Sequence, residues 1–275
     1  MATLIPRDEA DLVDIVGEAR AYRRPLEIVG RGTRRGLGRP LEVETVVDLS
    51  EMTGITLYEP SELVISARAG TTLSEIAGTL AAAGQEPAFE PVDHSALFGH
   101  AKGAGSVGGL VGVGMGGSRR LKVGSARDHL LGIRGVNGLG EAFKSGGRVM
   151  KNVTGFDLSK LVTGSYGTLA ILTEVTLKVM PRAETEETVA ILGLGEREGL
   201  SLLREVSGSP QEVASLAHLP GGSHPAFGSL SATLMRLEGP AVSVANREAD
   251  IAARYRDLGT VDILGEDESR VLWAD

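Results

Sequence analysis

The chain contains no cysteine. Disulfides, thiolate metal sites and thiol catalysis are therefore excluded. Aromatic residues are few: five Phe, four Tyr and one Trp. Positive charge is in deficit, with 28 Lys and Arg against 36 Asp and Glu, a net charge of −8. A general nucleic-acid binder needs clustered cations to displace counterions, and this balance argues against one. No apolar run reaches the ~20 residues that span a bilayer. Residues 1–7 lack the basic-then-apolar order of a secretory signal. The expectation is a cytoplasmic protein, in which the Asn152-Val153-Thr154 sequon goes unused. At 275 residues there is length for one large domain or two ordinary ones.

Glycine is abundant, 38 of 275 residues and roughly twice average usage. Around it the chain alternates helix and strand. Asp8 caps a first helix with an apolar stripe of Leu12, Val13, Ile15, Val16 and Ala19, and Pro25 stops it. Short strands follow at 26–29 and 45–49, then a pair at 56–58 and 63–67 turned by Glu59-Pro60-Ser61. Thr72 and Glu75 form a capping box for a helix over 73–83, which Gly84 closes. Nine of the nineteen residues from 99 to 117 are glycine. That density exceeds what ordinary strands or helices tolerate, at about 0.5–1 kcal/mol per interior glycine. It predicts backbone that turns through positive φ or passes close to another group. Strands are predicted at 130–136 and 168–179. Pro181 and the acidic run 184–187 predict a boundary. A second α/β unit is predicted beyond it, with strands at 188–192 and 232–237 and helices at 196–206 and 242–258.

Glycine-dense loops gather anions because amides without a neighbouring Cβ can converge on one point. One such loop, Gly30-Arg31-Gly32-Thr33-Arg34-Arg35-Gly36, ends a predicted strand, and Ser106-Val107-Gly108-Gly109 lies in the second glycine-rich run. The pattern G-x-G-x-x-G occurs at Gly103, Gly105 and Gly108 and again at Gly112, Gly114 and Gly117. Neither copy follows an apolar strand, so neither is a Rossmann fingerprint. Three further segments follow: Gly124-Ser125-Ala126-Arg127-Asp128-His129-Leu130-Leu131-Gly132, then Gly146-Gly147-Arg148-Val149-Met150-Lys151-Asn152-Val153-Thr154-Gly155-Phe156-Asp157-Leu158, then Gly164-Ser165-Tyr166-Gly167-Thr168-Leu169-Ala170.

The order of these five segments resembles the PCMH-type (vanillyl-alcohol oxidase-type) FAD-binding domain. More narrowly, the Gly146 to Leu158 run and Arg127-Asp128-His129-Leu130-Leu131-Gly132 resemble the FAD-binding subunits of bacterial glycolate oxidases. The resemblance is specific over 26–181 and fainter beyond. It implies an α+β fold: an FAD domain of two α+β subdomains over 1–181, then a partial α/β cap over 182–275, cut short. It implies FAD bound non-covalently, since the chain has no Cys and no His in the first glycine loop. Carried over by position, the backbone of Gly30, Arg31, Gly32, Thr33 and Arg34 holds the pyrophosphate. Ser106, Val107, Gly108 and Gly109 approach flavin and pyrophosphate from the second subdomain. Asn152, Thr154 and Gly155 lie near the isoalloxazine, and Gly167, Thr168 and Leu169 toward the ribityl and adenine end.

The resemblance implies an FAD-dependent oxidoreductase subunit supporting oxidation of glycolate, a small 2-hydroxy acid, to glyoxylate. The implied partners are a catalytic flavoprotein subunit and an iron–sulfur subunit, through which the complex reaches a membrane. Without Cys this chain cannot ligate the cluster by thiolate. Two other readings stand: an autonomous FAD-dependent dehydrogenase of another small 2-hydroxy acid, and a non-catalytic flavin-binding assembly subunit. Relatives that oxidise such acids carry a metal-binding His pair around a Gly-Asp-Gly-Asn core. His218-Leu219-Pro220-Gly221-Gly222-Ser223-His224 lacks that Asp and Asn, reads as a surface loop, and predicts no metal site. Lys151 and His94 are the only proton acceptors that can be named, and no catalytic residue is assigned. Asp157 reads as a structural hydrogen-bond acceptor.

Overall fold

The computed structural model describes residues 2–149 and 155–274. The chain divides into two compact units, Met1–Gly117 with Gly124–Pro181, and Ser118–Val123 with Arg182–Asp275.

The first unit begins with β1 (Ala2–Leu4), α1 (Glu9–Ala21), β2 (Leu26–Val29) and β3 (Thr45–Asp48). The strands form a parallel sheet in the order β1-β3-β2. The Asp8 carboxylate accepts from the Asp11 N–H at 3.0 Å, capping α1. Leu12 and Val16 of its apolar stripe are buried against Val47, Leu49 and Met52. The short strand β1 carries no sequence signal, because all three of its residues are exposed.

Next come β4 (Ile55–Glu59), β5 (Val64–Arg68), α2 (Leu73–Ala81), β6 (Gln85–Glu86) and α3 (Val107–Val113). The following helix, α4 (Arg120–Val123), belongs to the second unit. The first unit resumes with α5 (Ala126–His129), β7 (Leu130–Asn137), β8 (Ala142–Gly146), α6 (Leu158–Val162), β9 (Ala170–Lys178) and β10 (Met180–Pro181). An antiparallel five-stranded sheet runs β4-β5-β9-β7-β8, and β10 pairs with β6. Helix α3 corrects the expectation for the glycine-rich run. Val107, Leu110 and Val111, spaced i, i+3 and i+4, are buried, and that burial offsets the glycine cost. Gly108 lets the helix lie on the chain at Ala69, whose carbonyl oxygen would stand 2.9 Å from an added Cβ. Asp157 is the N-cap of α6, accepting from the Lys160 N–H and the Ser159 hydroxyl.

The rest of the second unit is β11 (Thr185–Leu192), α7 (Glu196–Ser207), β12 (Ser215–Leu219), β13 (Ala232–Gly239), α8 (Ala241–Tyr255), β14 (Thr260–Leu264) and α9 (Glu266–Ala274). Its antiparallel sheet runs β12-β13-β11-β14. Val189, Ile191, Met235 and Leu237 pack one face against α7 and α8. The units part after Pro181, and most of the acidic run is the start of β11, with Glu186 paired to Glu238 in register. Glu186 is buried there and accepts the Ser269 hydroxyl at 2.8 Å. His218 is likewise in β12 rather than a loop: its Nδ1 lies 2.9 Å from the Thr233 hydroxyl, under Gly199 of α7. Arg236, 3% exposed, donates to the Ser215 hydroxyl through Nε at 3.1 Å and to the Ser118 hydroxyl at 3.1 Å. It also stands 3.4 Å from Glu238 and 4.8 Å from the centre of the Trp273 ring. Arg119 reaches the same Glu238 at 2.7 Å.

Candidate functional site

Strand β2 delivers the chain into residues 30–36, which turn without entering a helix. The N–H groups of Gly30, Arg31, Gly32, Thr33 and Arg34 donate to no acceptor among the described residues. Gly32 has φ +72°, a conformation that strains residues with a Cβ. At Gly30 an added Cβ would stand 2.2 Å from the Ser106 hydroxyl oxygen, so the absence of a side chain lets this loop meet the start of α3. The loop opens on a cavity of about 630 Å³. Gly108, Gly109 and Gly112 of α3 form another wall, and residues 165–168 a third. Leu26, Ile28, Leu37 and Leu41 give it apolar surface.

The donors in these walls differ. In α3 the first N–H groups are already taken: Val107 donates to Thr71 O at 2.9 Å, Gly108 to Ala69 O at 2.8 Å and Gly109 to the Ser106 hydroxyl at 3.2 Å. The second glycine run therefore supplies close approach, and the first loop supplies the open donors.

Arg34 reaches from that loop and donates through Nη2 to Val92 O at 2.7 Å. Burial pulls the guanidinium pKa down, although Asp93 opposes the shift. Burial pushes the Asp93 carboxyl up, but hydrogen bonds from the Gly103 N–H and from Ser95, with the charge of Arg34, hold it below the usual carboxylate range. His94 beside them is pulled down by burial and then by Arg34, so its ring is neutral at pH 7.

Of the residues singled out in the sequence, Gly30, Arg31, Gly32, Thr33, Arg34, Ser106, Gly108, Gly109, Gly167 and Thr168 line this one cavity. Val107 does not: it is buried in the core under α3. Leu169 and Gly155 are exposed and outside its lining. Asn152 and Thr154, with Lys151, lie outside the described residues. Sequence reasoning missed Leu26, Ile28 and Tyr166 as lining residues. The available signal was that β2 is short, apolar and runs straight into the glycine loop.

Five open amides in sequence and a partly desolvated guanidinium suit a phosphate-bearing group. The apolar walls suit a flat ring system, and the volume falls within the roughly 300–1,000 Å³ of ligand pockets. The residues present therefore fit a dinucleotide.

Residues 1–146 match the family of FAD binding domains. The chain is 41% identical over 196 residues to the glycolate oxidase subunit GlcE of Escherichia coli K12, covering 71% of this chain and 50% of that protein. It is 29% identical over 189 residues to a D-lactate dehydrogenase of Archaeoglobus fulgidus, covering 68% of this chain and 40% of that one. A solved p-cresol methylhydroxylase shares the fold, with a TM-score of 0.72 at 14% identity over 97% of this chain and 58% of that one. The chain thus spans half or less of the length of these curated relatives.

Proposed function

The chain belongs to the FAD binding domain family, and from that premise we propose that it is the FAD-holding subunit of a glycolate-oxidising complex. The observation that carries the reading is the run of five N–H groups, 30–34, on residues that line the cavity and without an acceptor among the described residues. In this reading those amides take the phosphate oxygens of FAD, and Arg34 adds charge beside them. Ser106, Gly108 and Gly109 admit the cofactor closely, while Gly167 and Thr168 border its far end. Bound there, FAD supplies the two-electron acceptor for the hydride of a 2-hydroxy acid. His94 and Lys151 are the candidate proton acceptors of this reading, and no catalytic residue is assigned. Residues 182–275 supply the second α/β unit of this reading. A catalytic flavoprotein subunit and an iron–sulfur subunit complete the assembly, in the cytoplasm or at a membrane reached through them. Among the described residues no helix is long and apolar enough to cross a membrane.

The D-lactate dehydrogenase match favours a second reading, in which the chain oxidises another small 2-hydroxy acid by itself. Anaerobic mixing of the purified flavoprotein with glycolate or D-lactate separates the two. We expect slow bleaching of the flavin by the chain alone and acceleration when the partner subunits are added. Rapid bleaching of the isolated chain overturns the subunit reading in favour of the second. Acid precipitation should release all flavin into solution, because the chain has no Cys and the first glycine loop no His; colour retained in the pellet overturns non-covalent binding.

A further inference from the structure

The five-stranded sheet of the first unit carries a second hollow, of about 230 Å³, which shares no lining residue with the larger cavity. Strand register explains it. Ser66 pairs with Thr176, Thr176 with Gly132 and Gly132 with Gly146, making one cross-strand row. The next row on the same face is Glu174, Arg134 and Lys144. Two glycines leave the first row without side chains beside the two hydroxyls. The turn after β8 folds close over the gap: a Cβ on Gly132 would stand 2.8 Å from Gly147 O.

The hollow's lining is polar and carries more cations than carboxylates. The Ser66 and Thr176 hydroxyls lie 2.8 Å apart and buried. Two hydroxyls bonded to each other use one of their two O–H groups, so the pair keeps one to donate. On the lining, Arg134 is committed to Glu9 at 2.6 Å, and Glu174 accepts the Thr56 hydroxyl at 2.8 Å. Lys144 and Arg148 also line it, and neither has a hydrogen-bond or ion-pair partner among the described residues. Lys144 and Arg148, without a partner among the described residues, thus border a hydroxyl floor together with one carboxylate, Glu174.

We propose that this hollow binds a small divalent oxyanion of the inorganic phosphate type. With Arg134 balanced by Glu9, Lys144 and Arg148 outnumber the Glu174 carboxylate, and the hydroxyl pair and the Gly147 turn offer polar partners for the anion's oxygens. The volume falls below the roughly 300 Å³ at which pockets for drug-sized ligands begin, which excludes a nucleotide. Lys144 and Arg148 are exposed, so salt screens them and the affinity is millimolar. The inference does not depend on the substrate or partners of the flavin site.

The test is a calorimetric titration of the FAD-saturated protein with inorganic phosphate, at ionic strength held constant with chloride, and with glycolate as a monovalent carboxylate. Wild-type protein should bind phosphate without releasing flavin and should bind glycolate more weakly at this site. The double variant Lys144→Gln, Arg148→Gln, confined to exposed side chains, should lose about tenfold or more in phosphate affinity at unchanged flavin content. Thr176→Val, close in shape but without the hydroxyl, should lose several-fold. No phosphate binding by the wild type, undiminished binding by the double variant, or phosphate binding matched by flavin release would each overturn the proposal. Glycolate binding equal to phosphate would overturn the divalent class.

Discussion

In the first unit, residues 30–34 line a cavity and their five N–H groups have no acceptor among the described residues; in the second, Arg236, Arg119, Glu186 and Glu238 are buried or half-buried and hold one another. The second cluster catches the eye first, with a nearly buried guanidinium stacked on the only Trp of the chain. Yet the Arg236 guanidinium is answered from within, by Ser118, Ser215 and two carboxylates. A buried charge that is fully paired fixes a packing arrangement. Backbone donors left open in a concave wall await something from outside. The difference teaches that unused hydrogen-bonding capacity, more than buried charge, locates a site.

The largest effect should come from closing the open donors. Gly32→Val forces a branched side chain onto φ +72° and should lower FAD affinity by about 100-fold or more, measured by quenching of flavin fluorescence on the apoprotein. Gly265→Ala in the second unit, where an added Cβ meets nothing within 4 Å, should leave affinity unchanged. Gly228 is a poor control, because its φ of +55° makes any substitution there strained. Equal losses at Gly32 and Gly265 would erase the contrast between the units.

Next in size is the paired cluster. Glu238→Ala leaves Arg119 and Arg236 short of a carboxylate and should destabilise the second unit by about 3–5 kcal/mol in calorimetric unfolding. FAD affinity of the folded protein should not change; a parallel loss would show that the cluster serves the cofactor site. Arg34→Met tests whether a guanidinium belongs with the open donors. It should weaken FAD roughly tenfold, with a shallower salt dependence of binding, and leave the unfolding temperature of the apoprotein within a few degrees of wild type.

The smallest effect concerns Glu248 on α8. Burial, then the hydrogen bond and charge of Glu187, push its carboxyl above the ordinary value of 4.5. The folded state therefore holds this proton more tightly than the unfolded chain. Stability is full below about pH 4.5 and falls as pH rises through the folded value. Glu248→Gln keeps the neutral form throughout, so its urea midpoint should match wild type near pH 4 and exceed it at pH 7. A wild-type advantage at pH 7 would reverse the assignment.

Much of the first unit is legible in the sequence because its signals are local. Asp8 and Thr72 cap the helices they precede, and the apolar runs of β5 and β9 read directly as buried strands. Helix α3 was hidden because the glycine cost masks the Val107, Leu110, Val111 spacing, and only contact with Ala69 explains why glycine is used there. The strand read from 188 begins earlier, at Thr185, because the acidic residues before it are held from afar, Glu186 by Ser269, 83 residues away. The glycine loop could be read as an anion cradle, but not the division of labour with α3, whose donors are consumed by Thr71 and Ala69. The Arg236 cluster is gathered from positions 118, 186, 215, 238 and 273, and no sequence window contains them.

Residues 118–123 carry a consequence for modularity. They leave the first unit directly after its glycine-rich run, join the second, and return at Gly124. The second unit is therefore stitched from two pieces of chain, and no single cut releases it whole. A fragment begun at Arg182 would carry Glu238 without Arg119 and Arg236 without the Ser118 hydroxyl. A second unit exchanged between related proteins at that boundary would inherit the same missing partners, so six residues upstream have to travel with it or already match.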